Sequence, residues 1–270
     1  EMQRSLVGSE MCIRDSILGI YTGLLGYVGA KTGLSLDLLS QRAFGEKGSY
    51  LPSAMTSFTQ IGWFGVGSFV SGGTATPNFA RFAKNGKAGA ITTVVAFFIG
   101  NSLMFFFGAV SSIFVGGNDI FEVMVRLNLF YLAVLVLGLN IWTTNDNALY
   151  TAGLGLANIF HQRKKPMVLL SGIIGTVASV WLYYNFCGWL NILNCTLPPV
   201  GMILVLAYFM NKEDFETDQP KLKTIDWFAV AGVILGAIVA NLLHWGIASI
   251  NGMVVAAVCY CVGQAVNKRK

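Results

Sequence analysis

The chain has 270 residues, of which 54% are hydrophobic and only 11% charged, with a formal net charge of +5. A soluble domain carries roughly 25% charged residues, so much of this surface has to face lipid; the mean hydropathy of +0.62, with 31 Gly, 19 Phe and 6 Trp, fits a set of membrane-spanning helices rather than a large soluble core. The positive charge does not indicate nucleic acid, because Lys and Arg stand in short clusters between apolar runs, where cytoplasmic loops carry them.

Ser5 to Ser16, SLVGSEMCIRDS, is a mixed polar run without periodicity. It resembles the translation of a sequencing-library adaptor, which makes residues 1–16 non-native; a disordered natural N-terminus is the alternative. Residues 17–270 read as an all-α integral membrane protein. A crossing takes about 20 mostly apolar residues, since the hydrocarbon core is roughly 30 Å thick and a helix rises 1.5 Å per residue. Spans are predicted near Ile17 to Gly29, Leu51 to Phe79, Gly89 to Phe114, Leu127 to Ile159, Met167 to Phe186, Gly188 to Met210, Trp227 to His244 and Gly246 to Val266. Pro198-Pro199 is expected to end or kink its helix. Cys187, Cys195, Cys259 and Cys261 lie in or beside apolar runs without metal-ligand spacing and read as small apolar residues.

The basic segments are Lys31, Arg42 and Lys47; Arg81, Lys84 and Lys87; Arg163, Lys164 and Lys165; Lys212, Lys221 and Lys223; and Lys268, Arg269 and Lys270. From Arg81 onward two spans separate each cluster from the next, so all can lie on the cytoplasmic side. Between the Lys31 and Arg81 groups there is one apolar stretch, and one crossing puts these two groups on opposite faces. Either a span is missing between Leu51 and Phe79, or a re-entrant hairpin lies there.

Two polar clusters interrupt the apolar runs. GLNIWTTNDNALY, Gly138 to Tyr150, places Asn140, Thr143, Thr144, Asn145, Asp146 and Asn147 within one span. Such groups are costly in lipid and have to face a bundle interior or a wet cavity. Asn140, Thr143 and Thr144 share a helical face at i, i+3 and i+4, and their neutral oxygens suit a hard monovalent cation; interhelical hydrogen bonding is the plainer reading. The second cluster runs from Thr59 to Thr74. Trp63 and Phe69 can stack a flat heteroaromatic ring while Gln60 and Ser71 bond its edge, and Gly72-Gly73 with Pro77 predicts a broken helix. Here the plainer reading is lipid-facing aromatic packing with a proline kink. Asp37, Glu46, Asp119 and Glu122 read as solvated charges in polar connections, and His244 beside Trp245 as an interfacial residue. A membrane-embedded enzyme predicts an ionisable catalytic pair inside the bundle, and the sequence presents none.

The strings GYVGAKTGLSLDLL, TQIGWFGVG, SFVSGGTATPNFARF, FFIGNSLMFFFGA, VLGLNIWTTNDNALYTAGLGLANI, GIIGTVASVWLYYNFCGWL and PPVGMILVLAYFMN resemble successive pieces of the cytosine permeases of the nucleobase-cation-symport-1 family, from about Ile17 to the C-terminus. The resemblance implies a LeuT-type inverted-repeat transporter, here with about seven to eight of twelve expected transmembrane helices. The first helix and a block between TQIGWFGVG and SFVSGG are missing relative to that plan, which places a deletion junction near residues 66–68. It further implies import of cytosine, the small-molecule substrate, by cation symport with sodium across the bacterial cytoplasmic membrane, with no cofactor and no obligate protein partner. Trp63 and Phe69 would hold the base, Gln60, Ser71 and Asn140 would contact its edge, and Thr143 and Thr144, with Asn140, would bind the cation. The alternatives within this reading are a related nucleobase, hydantoin, allantoin or thiamine as substrate, or an inactive fragment of such a permease.

Overall fold

A computed structural model describes residues 19–66, 76–115, 120–217, 220, 222–243 and 247–268. These residues are almost all helical, and no strand occurs among them. In chain order, α1 covers 19–32, α2 Leu36–Phe44, α3 Tyr50–Val66, α4 Pro77–Ala80, α5 Gly86–Val115, α6 Ile120–Arg126, α7 Phe130–Phe160, α8 Lys164–Tyr184, α9 Phe186–Met210, α10 Lys212–Glu216, α11 Trp227–Leu242 and α12 Ala248–Lys268. The long helices fall on the predicted spans. Lys164–Leu182, Gly188–Met210 and Ala248–Val266 are long and apolar enough to cross a membrane by length and composition, and Trp227–Leu242 is a shorter apolar helix.

Local chemistry sets the helix ends. Ser35 accepts from the Leu38 N–H, Asp37 stands in the first turn of α2 and Arg42 in its last, matching the helix dipole at both ends. Asp226 caps α11 by accepting from the Ala229 N–H at 3.2 Å. Helix α9 runs on through Pro198 and Pro199, so of the expected stop or kink it is the stop that does not occur. The reason is tertiary. The Pro199 ring packs at the crossing of α11 and α12, where a β-carbon on Gly236 would stand 2.7 Å from the Gly252 carbonyl. Two glycines let those backbones approach, and neighbouring helices support the proline-containing segment.

The helices form two packed groups, α3 with α7 and α8, and α9 with α11 and α12. Helix α2 touches members of both. The largest buried core joins Tyr21, Leu25 and Val28 of α1 and Leu36, Leu39 and Phe44 of α2 to α9 and α11.

Described residues of the first four basic segments gather at one end of the bundle. Lys31 pairs with Glu216 at 3.7 Å, Arg81 donates to the Tyr150 hydroxyl, and Lys164 Nζ lies 3.4 Å from the Tyr150 ring centroid. The Lys31 and Arg81 groups, which a single crossing would separate, are close here: Asn78 Oδ1 accepts from the Leu36 N–H at 2.8 Å, and Gly86 lies against Tyr27 and Lys31.

Candidate functional site

Helix α7 carries a polar stripe at helical spacing: Asn140, Thr144, Asn147, Thr151 and Asn158, with Gly155 in the same line. Its two halves lie in different environments. Below Ala148 the stripe is packed against α3: Ser57 Oγ donates to the Ala152 carbonyl at 3.1 Å, and a β-carbon on Gly155 would collide with Ser57. Asn158 Nδ2 donates to Ser53 Oγ at 2.9 Å and to Ser49 Oγ at 3.1 Å, while Asn158 Oδ1 accepts from Gln41 Nε2 at 2.6 Å. This half is interhelical glue.

The upper half is open. Asn140, Thr143, Asp146 and Asn147 are exposed and Thr144 and Asn145 half-buried. The Thr143 hydroxyl is directed at the carbonyls of Leu139 and Asn140, both at 3.1 Å. That consumes its proton and leaves its oxygen lone pairs as ligands. Asp146 accepts from Trp142 Nε1 at 3.1 Å.

Gln60 is buried on α3, on the same face as Ser53 and Ser57. The pairs Ser53–Asn158 and Ser57–Ala152 define an antiparallel register, and continuing it nearly two turns brings position 63 level with Asn147. The Asn147 edge of the α7 cluster therefore lies at the depth of the described end of the α3 cluster. The Trp63 side chain, Phe69, Ser71, the Gly72-Gly73 break and His244 lie outside the described residues. Among the described residues no group of His, Cys, Asp and Glu has the arrangement of a metal centre.

Asp37 departs from its sequence reading. It is not a solvated loop charge but a first-turn residue of α2, 6% exposed, whose Oδ1 accepts from Ser53 Oγ at 2.6 Å. Burial pushes its carboxyl up to about 6, against the opposing pull of the Ser53 hydrogen bond, a bond from its own backbone N–H and the Arg81 charge. Glu46 is exposed as expected, and Glu122 pairs with Arg126 at 2.5 Å. Ser49, Ser53 and Ser57 at i, i+4 and i+8, facing Asn158 across the helix pair, are the sequence signal of this seam.

Comparison with known proteins places this site in context. A family model described as permease for cytosine/purines, uracil, thiamine, allantoin matches residues 11–75 and 66–266. The chain is 36% identical over 351 residues to the cytosine permease of Escherichia coli strain K12, covering 96% of this chain and 83% of that protein. The cytosine permeases of E. coli O6:H1 and O157:H7 match with the same identity and coverage. The matched length exceeds the 270 residues of the chain, so these relatives carry an internal stretch without a counterpart here.

Proposed function

Because the chain belongs to the family of permeases for cytosine/purines, uracil, thiamine and allantoin, we propose that it is the greater part of a multi-pass transporter that imports cytosine across the bacterial cytoplasmic membrane, in symport with sodium, by alternating access of a LeuT-type inverted repeat. The observation that carries this reading is the open polar turn of α7. Asn140, Thr143, Thr144 and Asn147 stand exposed or half-buried in a helix of otherwise apolar character, and Asn147 is level with position 63 of α3. Polar groups at that depth are expensive unless they bind something.

In this reading Thr143 and Thr144, with Asn140, present neutral oxygens to the cation. Trp63 and Phe69 hold the flat base between their rings, while Gln60, Ser71 and Asn140 bond its edge. The ion and the base bind together and favour the conformation that opens to the other side, so the cation gradient supplies direction. The pocket performs no covalent chemistry.

We also propose that a block of the transporter is missing near residues 66–68. Three observations support this. The two family matches overlap at residues 66–75. The alignment is longer than the chain. Finally, α3 leads away from the basic end while Asn78 is back beside Leu36, and the nine residues 67–75 between them are too few for a returning helix, which takes about 20. The exposure of the upper α7 stripe fits the loss of the helices that would cover it.

The test is to read the locus from source DNA across Gly65 to Ser71 and to assay the encoded frame for cytosine uptake. A longer frame that takes up cytosine in a sodium-dependent way supports the reading. An intact locus with this same junction overturns the missing block. Displacement by uracil or adenine but not by cytosine overturns the substrate.

A further inference from the structure

Helix α2 has two faces, each committed to a different group of helices. Leu36, Leu39 and Phe44 enter the core with Tyr208, Phe215 and Val233 of α9, α10 and α11. The same side is pinned by backbone bonds: the Asp226 N–H donates to the Phe44 carbonyl at 2.6 Å, Glu46 N–H to Lys223 O at 2.7 Å and Lys47 N–H to Thr224 O at 2.8 Å. On the neighbouring face, Asp37 and Gln41 stand one turn apart and reach α3 and α7 through hydrogen bonds.

The donors of that seam run in one direction. Gln41 Nε2 donates to Asn158, Asn158 Nδ2 to Ser53, and the Ser53 hydroxyl to Asp37 Oδ1. Asp37 is the terminal acceptor and the one ionisable member of the chain. The charged and titratable groups on elements packed around it are otherwise engaged. Tyr50 of α3 meets His161 beyond α7, Tyr208 of α9 donates to Glu216 of α10, which pairs with Lys31, and Asp226 ahead of α11 pairs with Lys223. Arg42 of α2 donates to the Asp214 carbonyl at 2.7 Å. Arg81, following α4, is the charge that acts on Asp37, and its guanidinium donates to Tyr150.

We propose that Asp37 is a proton-binding site that fastens α2 to the α3–α7 pair when neutral and loosens that joint when it ionises, making the link between the two helix groups sensitive to pH on the basic-loop side. A neutral carboxyl keeps its acceptor bond from Ser53. A carboxylate buried there has the Ser53 hydroxyl and its own backbone N–H as donors, and it gains more from water than from those two bonds. The buried carboxyl titrates near 6, against an ordinary 3.8. The joint is therefore fully fastened below about pH 4, weakens as pH rises toward 6, and is constant above that, a change on the order of a hundredfold in the fastened-to-loosened ratio. This inference concerns the bundle contacts and stands apart from the choice of substrate and coupling ion.

The experiment uses the purified chain in lipid nanodiscs, followed by infrared difference spectroscopy between about pH 4 and 8 and by amide hydrogen exchange corrected for intrinsic pH dependence. The carbonyl band of a protonated buried carboxyl should titrate near pH 6 and vanish in Asp37→Asn. Amides of α2 should exchange at least about tenfold faster at the high end of the range in the parent chain, and independently of pH in Asp37→Asn. Ser53→Ala, which removes a bond favouring the ionised form, should move the midpoint upward. A midpoint near that of an ordinary carboxyl, a band that survives Asp37→Asn, or pH-dependent α2 exchange retained in that variant overturns the proposal.

Discussion

Asn158 is where the packed half of the α7 stripe can be weighed. Replacing it with Ala removes three hydrogen bonds, from Gln41 at 2.6 Å and to Ser53 and Ser49 at 2.9 and 3.1 Å. The two serines keep uses for their own protons, Ser53 on Asp37 and Ser49 on the Glu46 carbonyl, so neither is left as an orphaned donor. Half-buried Gln41 loses its acceptor but can turn toward water. Interhelical hydrogen bonds in membrane bundles average about 0.6 kcal/mol each, so the expected loss is about 2 kcal/mol, with little added penalty for stranded groups. Asn147→Ala, on the exposed half of the same stripe, should change stability by less than about 0.5 kcal/mol. Reversible denaturant unfolding of the purified chain in detergent micelles, read by tryptophan fluorescence, measures both. Equal effects at the two positions, or a loss at Asn158 below about 0.5 kcal/mol, would refute the division of the stripe into a structural and an open half.

The remaining predictions concern pH, packing and the cation. Asp37 has a folded-state value raised from 3.8 to about 6, so its contribution to stability is fully present below pH 3.8 and is lost as pH rises through 6, by up to about 3 kcal/mol; pH-resolved unfolding of the parent chain against Asp37→Asn isolates it. Gly236→Ala should cost about 1–3 kcal/mol, because the added β-carbon lands 2.7 Å from the Gly252 carbonyl, and loosening α11 against α12 should show as faster amide exchange in both helices. In the full-length transporter, Thr143→Ala and Thr144→Ala should remove the sodium dependence of cytosine uptake; uptake unaffected by both substitutions contradicts their role as ligands.

Much of the architecture was legible because lipid leaves a strong mark on sequence. Runs of about 20 apolar residues gave the long helices, and the basic clusters gave their common end. Charge parity alone marks the stretch between Leu51 and Phe79 as anomalous, and in the structure Asn78 lies beside Leu36 and Gly86 against Lys31. Three features were not legible, each because it depends on a distant partner. Asp37 lies in a segment of mixed polarity, and its burial comes from Ser53 and the core beneath α2. Pro198 and Pro199 carry a local stop signal, and the glycine crossing of α11 and α12 accommodates them. The α7 stripe reads as one continuous signal, and only the register with α3 separates its packed half from its open half.

The most direct test of the central claim is uptake of labelled cytosine, with and without sodium, by cells that lack their own cytosine transport and express the full-length frame from this locus. The expected result is saturable, sodium-dependent accumulation that unlabelled cytosine displaces and that Trp63→Ala abolishes. Accumulation that uracil or adenine displaces while cytosine does not, or that is indifferent to Trp63→Ala, contradicts it.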